Sequence, residues 1–184
     1  MRILAAFLAI GWTSDARATP KATIIDPPAC YNNSAEKVAF ISSSPDSQRF
    51  AAGMARREGD GMPVVYRFNY ELAPPELQVF IDFHECAHHQ VGDVDRPHPP
   101  RNSAENLMNE SIADCIASLR FRDEYQKSEA DFKDLIAALR ADMEQIGFPE
   151  ISVASRISNI TNCYNHYGPA GIYIRNVLKE RASN

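Results

Sequence analysis

Short apolar runs at residues 38–41 and around Val64 precede Pro75, after which apolar positions recur at three- and four-residue spacing. This pattern predicts an α+β protein, a small N-terminal strand region followed by a mostly helical region. Residues 19–35 carry prolines and polar groups and read as an irregular lead-in, after which Val38, Ala39, Phe40 and Ile41 suggest a short strand. Phe50 and Met54 stand four apart in residues 47–57, which predicts a helix there, and Glu58-Gly59-Asp60-Gly61 reads as a turn into a strand around Val64. From Pro75 the period is helical, with proline in the first turn and Phe80, Phe83 and Ala87 on one face. After a proline-rich loop at 96–100, a second helix is expected over 103–121, with Leu107, Ile112, Ile116 and Leu119 on its buried side. A third is expected from Ser128 to the stop at Gly147, with Phe132, Leu135, Ile136, Leu139 and Met143 in one stripe. A last helix is expected from about Pro169 to Arg181.

The first eighteen residues change the picture of where the chain works. Arg2 precedes an apolar run from Ile3 to Trp12, and Ala16 and Ala18 place small residues where a signal peptidase needs them. Residues 1–18 are thus expected to be a signal peptide, and residues 19–184 a single domain exported to the periplasm or secreted. Cleavage takes the net charge from −5 to −6. That run is too short to span a bilayer and no later one approaches eighteen apolar residues, so an integral membrane protein is not expected. No basic stripe with interleaved aromatics supports binding to nucleic acid. An exported chain with Cys30, Cys86, Cys115 and Cys163 is expected to form disulfides. Three pairings are open, with four buried thiols as the alternative.

The most informative stretch chemically is His84-Glu85-Cys86-Ala87-His88, an HExxH motif. On a helix, residues four apart project side by side, so two imidazoles can bind one zinc ion while Glu85 reaches a metal-activated water as general base. A buried helix that carries two histidines and a glutamate needs compensation for desolvation, which a metal supplies. For a third ligand, His98 lies in the rigid loop Arg96-Pro97-His98-Pro99-Pro100, out of register with the HExxHxxGxxH pattern because Val91 and Val94 occupy its glycine and histidine positions. Glu110 is the stronger candidate. It stands four residues before Asp114 on the expected second helix, so one carboxylate can bind metal while the other hydrogen-bonds a ligand histidine.

HECAHH followed by NESIADC, spanning His84 to Cys115, resembles the gluzincin metallopeptidases, whose signature is HExxH with ExxxD or ExxAD on a following helix. The resemblance implies a zincin-like domain with one Zn(2+) per chain. It makes His84, His88 and Glu110 the ligands, Glu85 the catalytic base and Asp114 the carboxylate behind a histidine. It further implies a peptide or protein substrate, and it likens residues 62–69 to the strand preceding the zinc helix, where an edge strand can pair with an extended peptide. With two packed helices carrying the site, Cys86 is expected to pair with Cys115, leaving Cys30 for Cys163. His166, in Asn162-Cys163-Tyr164-Asn165-His166-Tyr167, is a candidate donor to the oxyanion. The loop 92–102 is a candidate cover for the cleft. The alternative to a peptidase is a periplasmic binding or assembly factor that keeps zinc but is proteolytically latent.

Overall fold

The computed structural model describes residues 22–45, 50–101, 103–125 and 128–183, so the expected signal peptide and its cleavage point lie outside the described residues. The fold is α+β. A three-stranded sheet is made of β1 (Ala39–Ser43), β2 (Ala52–Arg57) and β3 (Pro63–Phe68). Its order is β1-β3-β2, parallel between β1 and β3 and antiparallel between β2 and β3. Five helices follow: α1 (Pro75–Gln90), α2 (Ala104–Arg120), α3 (Glu129–Ile146), α4 (Glu150–His166) and α5 (Ala170–Ala182).

The central place of β3 follows from its side chains. Val64 and Val65 are fully buried, and Arg67, also buried, meets Asp82 of α1 through two hydrogen bonds of 3.1 and 3.2 Å. An arginine can sit there because its planar guanidinium matches both carboxylate oxygens and lies 4.4 Å from the Tyr70 ring centroid. Across the main core, Leu77, Phe80 and Phe83 of α1 pack with Phe121, with Phe132, Leu135, Leu139 and Met143 of α3, and with Val153 and Ile160 of α4. The start of α3 is set by a capping box between Ser128 and Asp131, and its end by Gly147 in the left-handed conformation (φ 93°).

Three expectations change. The segment expected as a helix over 47–57 contains β2, its first residues 47–49 lying outside the described set. Phe50 and Met54 satisfy a helical spacing, yet Met54 is 39 % exposed and the backbone from Ala52 to Arg57 pairs with β3, so tertiary pairing overrides the local pattern. The strand likened to an edge is the centre of the sheet, and the edge beside α1 is β2. Helix α4 was not expected as a helix. Its β-branched, Ser and Asn content weakens the local preference, although Val153, Ile157, Ile160 and Tyr164 keep a helical period facing the core.

The disulfide pairing expected from the site is also corrected: Cys30 bonds Cys86, and Cys115 bonds Cys163. Helical rotation explains it. Cys86 lies about 200° around α1 from His84, so it faces the lead-in and sheet rather than α2, and Val38 and Val65 pack against the Cys30–Cys86 pair. Cys115 is turned about 100° from Asp114 and faces α4. No helix among the described residues is long and apolar enough to cross a membrane, and the two disulfides are compatible with a secreted protein. Peptide mapping without reductant is expected to yield Cys30–Cys86 and Cys115–Cys163 links; recovery of a Cys86–Cys115 link would contradict this arrangement. The bridges span 56 and 48 residues, so removing either pair is expected to lower stability by about 2–4 kcal/mol in denaturant unfolding.

Candidate metal centre

Where α1 crosses α2, the imidazoles of His84 and His88 meet edge to face, with ring centroids 4.9 Å apart. Their Nε2 atoms are separated by 3.3 Å. From α2, Glu110 brings one carboxylate oxygen to 3.2 Å from His84 Nε2 and the other to 3.8 Å from His88 Nε2. A tetrahedral ion with bonds of about 2.0–2.1 Å sets its ligand atoms roughly 3.3–3.4 Å apart; the His84–His88 and His84–Glu110 separations match this, the His88–Glu110 one is longer, and the group could hold a metal ion.

The opposite side of each imidazole fixes its tautomer. His84 Nδ1 lies 2.9 Å from Asp114 Oδ1, and His88 Nδ1 lies 2.9 Å from Asp93 Oδ2. A carboxylate accepts only, so each Nδ1 carries the proton and each Nε2 can direct a lone pair into the centre. The carboxylates are themselves braced. Arg156 of α4 donates to both oxygens of Asp114 at 2.7 Å, while Asp93 takes Arg96 at 2.5 Å and Arg181 of α5 at 2.7 Å. Asp93 owes its place to Gly92, whose left-handed backbone (φ 73°) turns the chain back at the end of α1 into a short 3-10 turn, Asp93–Asp95. The start of the loop expected to cover the cleft is therefore pinned to His88.

A proton shared within the cluster offsets its carboxylates. Burial works to lower the His84 pKa, but hydrogen bonds and charge from Asp114 and Glu110 outweigh it and raise it to about 10. Burial likewise works to raise Glu110, and His84 with its positive neighbours brings it down to about 2. Asp114 is held well below the usual carboxylate range by Arg156 and His84 in spite of its burial.

Glu85 points elsewhere. It faces β2, where Ala55 N–H donates to its Oε2 at 2.7 Å. The approach requires a glycine at position 53, because a Cβ there would collide with Glu85 Cγ and stand 2.8 Å from Ile81 Cγ2. Next to the ligands, His89 is fully buried with Nε2 at 2.9 Å from the Val64 carbonyl, where it ties α1 to β3.

The structure thus brings His84, His88, Glu110 and Asp114 together and leaves His98 exposed on its loop. His166 is exposed at the C-terminal end of α4, ten residues and roughly 15 Å of helix beyond Arg156, so the expected oxyanion donor is not at the cluster. Asp93, Arg156 and Arg181 escaped sequence reading. Gly92-Asp93 directly after a ligand helix is a signal for the first of them, and a single arginine among the apolar positions of α4 is one for the second. No family model, no curated protein and no solved structure matches the chain.

The protonation pattern makes a pH prediction. The raised pKa of His84 gives the metal-free fold stability that is present below pH 6.5 and lost as pH rises toward 10. The lowered pKa of Glu110 gives stability present above pH 4.5 and lost as pH falls toward 2. Thermal unfolding with a chelator is expected to show a maximum between these limits. A bound divalent ion replaces the His84 proton and is expected to abolish the alkaline decline; parallel declines with and without metal would contradict the site.

Proposed function

We propose that the chain is a zinc-dependent peptide hydrolase in which His84, His88 and Glu110 hold the ion and Glu85 is the general base. The observation that carries this reading is the cluster of His84, His88 and Glu110, whose ligand atoms lie within 4.8 Å of one another, with Glu85 next to His84 in the chain and its Oε2 held by the Ala55 N–H. Zinc bound by two imidazoles and one carboxylate would supply a Lewis acid for the scissile carbonyl and for an attacking water.

The remaining roles belong to the chain's own groups. Ala55 N–H holds Oε2 of Glu85, which orients the carboxylate so that Oε1 can take a proton from water and return it to the leaving amine. Strand β2 pairs with β3 on one side only, and the N–H of Ala55 points along the other. The Ala55 N–H on that side is taken by Glu85, so an extended peptide aligned there would hydrogen-bond the remaining edge groups of β2. Arg156 and Asp114 orient His84, and Asp93 orients His88, so neither imidazole has to reorganise when ligand and substrate arrive. The substrate class is a peptide or protein segment that can adopt an extended conformation, met outside the cytoplasm if the leader is functional.

The test pairs metal content with turnover. Purified wild type is expected to hold about one zinc per chain and to cleave members of a peptide library, and Glu110→Ala is expected to lose the metal. Glu85→Gln is expected to keep zinc while turnover falls by about 10²–10⁴-fold. Gly53→Ala is expected to force β2 away from Glu85 and Ile81 of α1, and so to displace Glu85 and lower turnover about 100-fold. Zinc retained in a Glu85→Gln variant that behaves as wild type would move the reading to a latent binding or assembly factor. Wild type without zinc would sink both.

A further inference from the structure

The C-terminal helix reaches the proposed metal centre through one side chain. Arg181 is 17 % exposed, and its Nη1 bonds both Asp93 Oδ1 at 2.7 Å and the Val91 carbonyl at 2.6 Å. Its Nη2 donates to Asn109 Oδ1 at 2.9 Å. Val91 and Asp93 belong to the turn that ends α1, and Asn109 immediately precedes Glu110 on α2. One guanidinium therefore grips the segment behind His88 and the residue beside Glu110. These are the two ligands whose separation, 3.8 Å, is the longest of the three edges.

The companion edge is braced differently. His84 is oriented by Asp114, which sits on the same helix as Glu110, so α2 itself supplies both the ligand and the partner of the first histidine. His88 has no such link to α2. Its partner Asp93 follows α1 in the chain, and the connection from Asp93 to α2 runs through Arg181. Arg96, the other cation on Asp93, is three residues along in the same turn and comes from neither ligand helix.

We propose that Arg181 is a positioning residue of the metal centre, holding Asp93 and therefore His88 in register with Glu110. It touches neither metal nor substrate and acts through Asp93. The inference rests on the reading of His84, His88 and Glu110 as metal ligands. It adds that the site is incomplete without α5, although α5 contributes no ligand.

The experiment measures metal binding by the full chain with no substrate present. Zn(2+) affinity is read by competition with a chromophoric chelator, and ligand geometry by the visible absorption of the Co(2+)-substituted protein. Arg181→Ala is expected to weaken Zn(2+) binding by about 10–100-fold and to alter the Co(2+) spectrum, with Arg181→Lys intermediate. Arg175→Ala, on an exposed position of the same helix, is expected to match wild type and controls for damage to α5. Because loss of Arg181 could loosen the fold in general, Asp93→Asn and the double variant complete a cycle. Action through Asp93 requires the double variant to be scarcely weaker than either single one, whereas additive losses would assign Arg181 a merely structural role. Wild-type affinity and spectrum in Arg181→Ala would overturn the proposal while leaving the metal site standing. Failure of wild type to bind Zn(2+) or Co(2+) would instead overturn the site itself.

Discussion

The buried carboxylate of Asp114 is the contact on which the arrangement of helices depends. It sits on α2, accepts from His84 of α1 and receives both arms of Arg156 from α4, so three helices are tied at one point. A lone carboxylate at 2 % exposure would be strongly unfavourable, and the bidentate Arg156 with the His84 ring offsets that cost. Together they form a group that is stable only when all three elements are docked. That requirement sets the crossing of α1 over α2 and with it the distance between the histidines and Glu110.

Two covalent links frame this point from opposite sides. Cys86 follows Glu85 on α1 and fastens the helix to the lead-in at Cys30, while Cys115 follows Asp114 on α2 and fastens it to α4. Both bridges are buried, and Arg120 contributes further by placing Nη1 3.2 Å from Cys86 Sγ and its guanidinium 4.3 Å from the Phe83 ring centroid. The helices that carry the site are thus restrained on their far sides by disulfides and on their near sides by charge. The polar cluster resists rearrangement for both reasons.

Charge at the centre is unevenly compensated. Glu110, Asp114 and Asp93 bring three carboxylates, and Arg156, Arg181 and Arg96 stand behind the outer two. What remains is a pair of imidazole Nε2 atoms and one carboxylate at contact distance, an electron-rich pocket in which His84 must otherwise keep a second proton. An ion bound there would displace that proton.

Much of this was legible in the chain. The i, i+4 spacing of His84 and His88, and of Glu110 and Asp114, decides by helical geometry alone that each pair shares a face, and apolar periodicity marked α1, α2 and α3. The strand β2 was misread because one four-residue spacing fits helix and strand alike over so short a stretch, and only pairing with β3 resolves it. Helix α4 carries weak local preference and is held by the core and by Arg156. A single helix therefore decides which side chains point together. Which faces meet is settled in three dimensions: Cys30 with Cys86, Arg181 with both helices of the cluster, and Gly53 with Glu85. Those contacts join residues distant in sequence, and no periodicity in one segment records the orientation of another.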